Sequence, residues 1–175
     1  MQTRYLTFFA VLGLAACVAP PIPPAPKILA APPPVAAAPP PPRLTGDWND
    51  WPFTPGNWTY RRDGRTSVAQ FGAPGRNPTI NFRCDAENRR VTISREAAAL
   101  GGPMIIRTSS MTKTLAAMAR DANPAYLVAD IATTDPILDA MAFSRGRVLV
   151  EMEGQQPVIL PSWAEITRII EDCRG

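Results

Sequence analysis

Hydrophobic and polar residues alternate along the stretch from residue 57 to residue 95, which is the pattern of half-buried β-strands. The alternation is clearest at 79–84, where the apolar positions Ile80, Phe82 and Cys84 all fall on one face of an extended chain. The intervening positions are polar, so one face of this predicted sheet is buried and the other meets solvent.

Two predicted strands, 57–62 and 67–71, flank Asp63-Gly64, a dipeptide typical of two-residue β-hairpins. Further strands are predicted at 104–108, 113–117, 126–131, 148–152 and 158–160, with turns at 101–103 and 121–124. No regular alternation of strands with helices is visible, so an antiparallel sheet is favoured over a parallel one.

A first helix is predicted shortly after residue 131. Asp135 or the threonine before it can cap this helix, and Pro136 suits its first turn. The helix is expected to stop near Gly146, where a residue with positive φ is easily accommodated.

A second helix closes the chain. Ser162 and Glu165 have the spacing of a capping box. One apolar stripe follows, formed by Ile166, Ile169, Ile170 and Cys173. The predicted fold class is therefore α+β, with an antiparallel sheet built as a sandwich or partly open barrel and two short helices.

Residues 1–17 have the features of a secretory signal segment. Arg4 is the only charge before the apolar run 5–14, which is too short to span a bilayer because a helix needs about 20 residues. The run closes on Leu-Ala-Ala-Cys at Cys17, a tetrad that resembles the lipobox. The resemblance implies a signal peptide over 1–16 and acylation of Cys17, which anchors the protein in a membrane. An ordinary signal peptide with an incidental cysteine is the alternative.

A proline- and alanine-rich spacer is predicted over 18–43. It holds twelve of the 21 prolines and two charges, Lys27 and Arg43. Such a segment cannot bury enough apolar surface to offset its ordering entropy, so a semi-rigid polyproline II stalk reaching roughly 80 Å is expected. A docking motif for a proline-recognition domain is the alternative. In lipoproteins with this signal, an Asp directly after the lipid-bearing cysteine favours retention in the inner membrane. The residue after Cys17 is Val18, so the resemblance implies attachment to the outer membrane.

The formal net charge of +3 lies outside the predicted folded domain, 44–175. Arg4, Lys27 and Arg43 are the only charges before it, so the domain itself has 15 basic and 15 acidic residues. This balance argues against nucleic acid as a partner. Residues 61–96 nevertheless hold eight arginines against four acids, and a solvated sheet face is favoured over an anion-binding patch. The eight are predicted mostly at outward or turn positions: Arg61, Arg62, Arg65, Arg76, Arg83, Arg89, Arg90 and Arg95.

Two cysteines remain once Cys17 is assigned to the lipid. Cys84 and Cys173 are both predicted to point inward in an exported domain, where oxidation is expected. A structural disulfide between them is favoured over a redox-active pair, because there is no Cys-x-x-Cys spacing and no histidine to deprotonate a thiol.

The chain has no histidine. A Ser-His-Asp triad, a Cys-His nucleophile and His-ligated zinc or haem are therefore excluded. The sequence also contains no phosphate loop and no recognisable metal-ligand spacing, so no catalytic residue, metal site or cofactor is predicted.

Three of the four tryptophans, Trp48, Trp51 and Trp58, lie within eleven residues. Aromatic side chains beside Asp47 and Asp50 are typical of a sugar-stacking platform, and the two carboxylates suggest glycan hydrolysis as an alternative function. The favoured interpretation is structural: this segment packs over the end of the sheet.

Two weaker patterns involve the first predicted helix and the turn after it. The carboxylates Asp135 and Asp139 are four residues apart on the first predicted helix, as an acid/base pair would be, but a cap and a solvated neighbour explain them. The Ser144–Arg147 turn has backbone donors and guanidinium groups suited to phosphate, although turns that end helices often have this composition.

The strand ending Phe82-Arg83-Cys84, the Phe143–Arg147 turn and the terminal helix closing on Cys173 form a family outline. It resembles uncharacterised alphaproteobacterial lipoproteins over about residues 57–173. More distantly it is similar to periplasmic domains of the invasion-associated locus B and type VI secretion accessory kinds. The resemblance implies a structural motif and no active-site residue.

The function predicted from these features is that of a non-enzymatic binding or assembly accessory, lipid-anchored in the cell envelope and facing the periplasm. Its expected partners are the membrane, through the lipid, and an envelope protein or peptidoglycan. A glycan-binding or glycan-hydrolysing protein that uses Trp48 and Trp51 is the alternative.

Overall fold

The structure, a computed structural model, describes residues 44–97, 101–122 and 125–175. The predicted signal peptide, the lipid-bearing Cys17 and the proline-rich spacer lie outside the described residues. No helix within the described ranges combines the length and the hydropathy needed to cross a membrane.

Within these ranges, nine strands form one antiparallel sheet in the spatial order β1-β2-β3-β4-β7-β6-β5-β8-β9. The strands are β1 Asn57–Asp63, β2 Thr66–Gly72, β3 Ile80–Asp85, β4 Arg90–Glu96, β5 Gly101–Arg107, β6 Thr112–Ala122, β7 Ala125–Ala132, β8 Arg147–Met152 and β9 Val158–Pro161. The helices are α1 Pro136–Ala142 and α2 Ala164–Arg174, and a 3₁₀ turn covers Trp48–Asp50. The predicted α+β class with an antiparallel sheet is confirmed.

The alternation seen in the sequence sets the inner face of the sheet. In β2, β3 and β4 every second residue is buried, because successive side chains of a strand point to opposite faces. Apolar residues of the later strands and of both helices complete one hydrophobic core. Its largest fully buried side chains include Phe71, Phe82, Ile93, Met104 and Leu127.

Helix α2 packs on the inner face of β1–β4 and most extensively on β3. The apolar stripe predicted for it is confirmed, with Ile166, Ile169, Ile170 and Cys173 all buried. Cys173 forms a disulfide with Cys84 in β3, and the two Cα atoms are 5.4 Å apart. The predicted disulfide is therefore confirmed, and it joins the end of α2 to the sheet.

Polar contacts hold both helices in place. The Tyr60 hydroxyl donates to the Asp172 carboxylate at 2.5 Å, and Arg62 donates to the other oxygen of that carboxylate at 3.1 Å. The hydrogen bond to Asp172 raises the pKa of Tyr60, with burial acting in the same direction. At the end of α2, Arg174 donates to the Thr133 carbonyl at 2.9 Å and pairs with Asp139 of α1 at 2.6 Å.

The two edge strands of the sheet approach each other. The Trp58 indole of β1 donates to the Pro161 carbonyl of β9 at 3.0 Å, and its ring packs on Phe71 and Phe82 with centroids 5.2 and 6.0 Å away. A side-chain bond thus bridges the gap between the edges, which matches the partly open barrel among the predicted forms.

Residues 44–56, here called the N-terminal arm, line the edge of β9. The Thr54 backbone N–H donates to the Ile159 carbonyl at 3.0 Å, and the Ile159 N–H donates to the Thr54 hydroxyl at 2.9 Å. Leu149 and Ile159 are fully buried although they lie outside the main core. The arm therefore satisfies backbone groups that an edge strand otherwise leaves open for pairing with another chain.

The predicted capping box of α2 is wrong. The N-cap is Trp163, and no side chain caps the helix. The Ser162 hydroxyl instead donates to the Met141 carbonyl at 3.0 Å and so links α2 to α1. The Ser162 hydroxyl thus forms a tertiary hydrogen bond to α1 instead of the local N-cap bond that the sequence predicts.

Arg95 is also placed differently from the prediction, because it is buried and only 4% exposed. It has the same parity in β4 as Val91 and Ile93, so it points to the inner face. Its guanidinium donates to the carbonyls of Val150 and Gln156 on the opposite side of the core. Burial lowers its pKa to about 10, so the side chain remains a cation at neutral pH.

Two turn predictions need adjustment. Asp63 pairs with Thr66, so the hairpin loop consists of Gly64 and Arg65, one residue later than predicted, and Gly64 has φ 56°. Residues 101–103 are not a turn but the start of β5, where Gly101 pairs with Met118. Glycine and proline usually indicate a turn, but here Gly101, Gly102 and Pro103 belong to β5 and pair with β6.

Loss of the disulfide is expected to destabilise the domain by about 4–5 kcal/mol on the chain-entropy estimate, because the bond closes a loop with a sequence separation of 89. Urea unfolding of the oxidised protein, the reduced protein and the Cys84→Ala/Cys173→Ala variant measures this. The reduced and doubly substituted proteins should agree. Free thiols on both residues in unreduced peptides, found by mass spectrometry, would contradict the pairing.

Acid is expected to weaken the contacts of α1. The hydrogen bond from Arg174 lowers the pKa of Asp139 below its ordinary 3.8. For Asp135 burial raises the pKa, but Lys113 and the Ile137 N–H outweigh it and the net direction is also down. A carboxyl with a depressed folded-state pKa stabilises above its unfolded pKa, and that contribution is lost as pH falls through the folded value.

The free energy of unfolding should therefore be nearly constant from about pH 7 to 5 and fall below about pH 4. Urea titrations at a series of pH values measure it, with Asp135→Asn/Asp139→Asn as the comparison. The variant should be less stable at neutral pH and show a shallower acid decline. An equally steep decline in the variant would assign the acid sensitivity to other carboxyls.

Candidate functional site

The outer face of β1–β4 and β7 is polar, and register aligns its side chains in rows. Arg61 of β1 lies opposite Val68, which lies opposite Arg83 of β3. The row continues through Thr92 of β4 to Asp130 of β7. The same pairing that brings apolar residues together inside therefore brings charged residues together outside.

A groove of about 560 Å³ lies on this outer face, and we call it the arginine groove. Its charged lining consists of Arg61, Arg83, Arg90, Arg120, Asp85 and Asp130. Four cations against two anions leave this lining with a net charge of +2, although the folded domain as a whole is neutral. Charge is thus concentrated on one face of the sheet.

Asp130 compensates two of the four arginines. Its Oδ2 pairs with Arg90 at 3.3 Å and also pairs with Arg120. Its other oxygen, Oδ1, is buried and has no hydrogen-bond partner among the described residues. Arg90, Arg120 and Asp130 therefore form an ion-paired triad in the lining of the groove.

Asp85 is held by the β3–β4 turn. Its two carboxylate oxygens accept from the backbone N–H of Asn88 at 3.1 Å and from the Asn88 amide at 2.8 Å. These hydrogen bonds, with a smaller contribution from the charge of Arg83, lower the pKa of Asp85, so it is an anion at neutral pH. The turn itself contains Arg89 with φ 49°, a left-handed conformation.

Arg61 and Arg83 are the uncompensated cations of the groove. Neither forms an ion pair within 4.0 Å in the described part of the chain, and both are exposed. A second depression of about 360 Å³ adjoins the groove and is lined by the same two arginines together with Val68, Thr66 and one carboxylate, Asp63. Arg61 and Arg83 therefore face two connected concave surfaces.

The neutral lining of the arginine groove consists of amide and hydroxyl side chains with an apolar floor. Asn81, Asn88, Thr92 and Ser94 supply the polar groups, while Val68 and Val128 are apolar. None of the described side chains that line it is aromatic. Such a surface can bind an anion with guanidinium groups and hydrogen-bond the polar groups beside it.

The tryptophans do not share one surface. Trp58 is only 7% exposed and belongs to the core. Trp48 and Trp51 are half-buried in the N-terminal arm, where the Trp51 indole donates to the Thr45 carbonyl at 3.1 Å. Arg147 ties this arm to β8, donating to the Trp51 carbonyl at 2.8 Å while its guanidinium lies 4.7 Å from the Phe53 ring centroid.

Asp47 and Asp50 lie beside these tryptophans at an exposed 3₁₀ turn. The Asp47 carboxylate accepts from the backbone N–H and the amide of Asn49, at 3.0 and 2.9 Å, and so caps the turn. Asp50 is the last residue of that turn. The local backbone thus accounts for the position of Asp47.

The other charged patterns are engaged within the fold. Asp135 caps α1 by accepting from the Ile137 N–H and pairs with Lys113. In the Ser144–Arg147 turn, backbone donors bond internally: the Arg145 N–H to the Ser109 hydroxyl at 3.0 Å, and the Gly146 N–H to the Ser144 carbonyl at 2.8 Å. No group of three or more Cys, Asp or Glu in the described ranges is positioned to hold a metal ion.

Arg120 and Asp130 lie outside the arginine-rich stretch 61–96 that the sequence reveals. Arg61, Arg83 and Arg90 belong to that stretch, whereas Arg120 comes from β6 and Asp130 from β7. The pairing of β4 with β7 is what brings Asp130 to this face. The alternation of the sequence indicates that Arg120 and Asp130 lie on the outer face, but it does not show which strands are neighbours.

Trp58→Ala is expected to destabilise the domain by about 3–5 kcal/mol, because it leaves a cavity in the core and an unpaired Pro161 carbonyl. Trp48→Ala and Trp51→Ala should cost about 1 kcal/mol each, as their rings are half-buried. Urea unfolding measures all three. Equal losses for Trp58→Ala and Trp48→Ala would contradict the different burial of these rings.

Comparisons of the chain with protein-family models, with curated proteins and with solved structures found no match. The resemblance to envelope lipoproteins therefore stays a prediction from the sequence.

Proposed function

We propose that this protein is a lipid-anchored lipoprotein of the cell envelope, attached to the outer membrane and facing the periplasm, that acts as a non-enzymatic binding or assembly accessory. The lipobox-like tetrad ending at Cys17 and the proline-rich spacer support the anchored location. In this proposal the spacer holds the folded domain away from the membrane, within reach of a partner.

The observation that carries the binding role is the pair of uncompensated arginines in the arginine groove. Arg61 and Arg83 are held on the same face by strand register, and no ion pair within the described ranges neutralises them. Uncompensated guanidinium groups above a polar, concave surface favour an anionic partner.

Anchoring is tested by phase separation in detergent. The wild-type protein should enter the detergent phase, because the acyl chains on Cys17 supply its membrane affinity. Cys17→Ala should be found in the aqueous phase and in the soluble envelope fraction. A Cys17→Ala protein that still fractionates with membranes would contradict the anchor.

Binding is tested in the same cells by crosslinking in intact envelopes. The Arg61→Ala/Arg83→Ala variant should lose crosslinked partners that the wild type retains. Arg76→Ala/Arg145→Ala is the matched control, since it removes two exposed charges outside the arginine groove. Identical crosslinks for both double variants would remove the groove from the proposal, and crosslinks lost only in Trp48→Ala/Trp51→Ala would favour the glycan-binding alternative.

A further inference from the structure

The spacing of the uncompensated arginines indicates what kind of anion they bind. Arg61 and Arg83 are two strands apart and have Val68 between them. Adjacent strands are separated by about 4.8 Å, so the two arginines emerge from the sheet about 9 to 10 Å apart. Two arginines that leave the sheet at this backbone spacing can each bind a separate single anion.

The anionic lining limits the charge density of the ligand. Asp85 and Asp130 lie in the same groove, and the lowered pKa of Asp85 keeps it charged. A dense polyphosphate would meet these carboxylates along its length and be repelled. A chain with widely spaced carboxylates can reach Arg61 and Arg83 and place neutral donors opposite Asp85.

The neutral lining indicates a peptide. Asn81, Asn88, Thr92 and Ser94 offer donors and acceptors that suit unpaired backbone amides. The absence of aromatic side chains from the described lining disfavours nucleic-acid bases and sugar rings, which proteins bind largely by stacking. Val68, between the two arginines, suits a short apolar residue between two acidic ones.

Backbone geometry then selects a conformation. In a polyproline II helix, residues three apart lie on the same side at about 9 Å, and all backbone groups remain free for bonding. In a β-strand the same-face spacings are about 6.6 and 13 Å. An α-helix repeats at about 10.5 Å every seventh residue, but its backbone groups bond one another and leave the amide and hydroxyl lining unused.

Building on the binding role proposed above, we propose that the arginine groove binds an acidic peptide in polyproline II conformation whose two carboxylates are three residues apart, one on Arg61 and one on Arg83. The ligand belongs to another chain. The spacer of this protein has polyproline II composition, but its only charges are Lys27 and Arg43, which the groove repels.

The test uses the full-length lipidated protein in detergent micelles and a fluorescein-labelled proline-rich peptide with two glutamates three residues apart. Fluorescence anisotropy should show saturable binding that weakens with added salt. Matched peptides place the same two glutamates two or four residues apart in the proline frame, or seven apart in an alanine-rich helical frame. A further control peptide has glutamine at both positions.

The three-residue spacing should bind best, and the glutamine peptide should not bind. Arg61→Gln and Arg83→Gln should each weaken binding about tenfold or more, because each loses one charge-assisted contact. Arg145→Gln, outside the groove, should leave the affinity unchanged. Both groove arginines are exposed, so thermal melting should show unaltered stability for all three variants.

Several results would overturn the inference. Equal binding of all spacings would remove the geometric argument, and full binding by Arg61→Gln/Arg83→Gln would remove the site. Tighter, arginine-dependent binding of inorganic polyphosphate would replace the acidic peptide. If no peptide binds while crosslinking in envelopes still depends on Arg61 and Arg83, the ligand class is wrong and the proposed binding role stands.

Discussion

The disulfide between Cys84 and Cys173 fastens the last helix to the inner face of the sheet. It can form only because Cys84 lies on the inward-facing side of β3, and much of the structure depends on that choice of face. Cys84 must point inward to reach α2, so Arg83 and Asp85 on either side of it point outward. A one-residue slip of β3 would exchange the two faces, exposing Phe82 and burying an arginine without a partner. The core contact and the charge of the arginine groove are therefore two consequences of one register.

The backbone groups of the two edge strands, β1 and β9, also need partners. The Trp58 indole reaches the Pro161 carbonyl across the gap between β1 and β9, and the N-terminal arm occupies backbone groups of β9. The arm therefore has a structural role, and Arg147 of β8 fastens it by contacting the Phe53 ring and the Trp51 carbonyl. The polar outer face of β1–β4 and β7 contains the arginine groove, whose charged lining has a net charge of +2.

The strand alternation, the apolar stripe of α2, the Asp135 cap of α1 and the disulfide could all be predicted, because each depends on residues close in sequence or on the number of inward cysteines. Predictions failed where a distant partner competed with local chemistry. The Ser162 hydroxyl bonds to α1 rather than capping α2, and residues 101–103 pair with β6 rather than turning. Arg95 was expected outside, although its parity with Ile93 already placed it inside, where two carbonyls receive its guanidinium.

The sequence by itself determined the strand periodicity, the presence of a hairpin near Gly64, the pairing of the two cysteines of residues 44–175, the neutral charge of those residues and the absence of histidine chemistry. The tertiary structure decided which charges are neighbours. Arg61, Arg83, Asp130 and Arg120 come from four strands, and the sheet order, in which β7 follows β4, is what assembles them. Periodicity specifies the face on which a side chain lies, whereas long-range strand pairing specifies what lies beside it, and that pairing depends on the whole core.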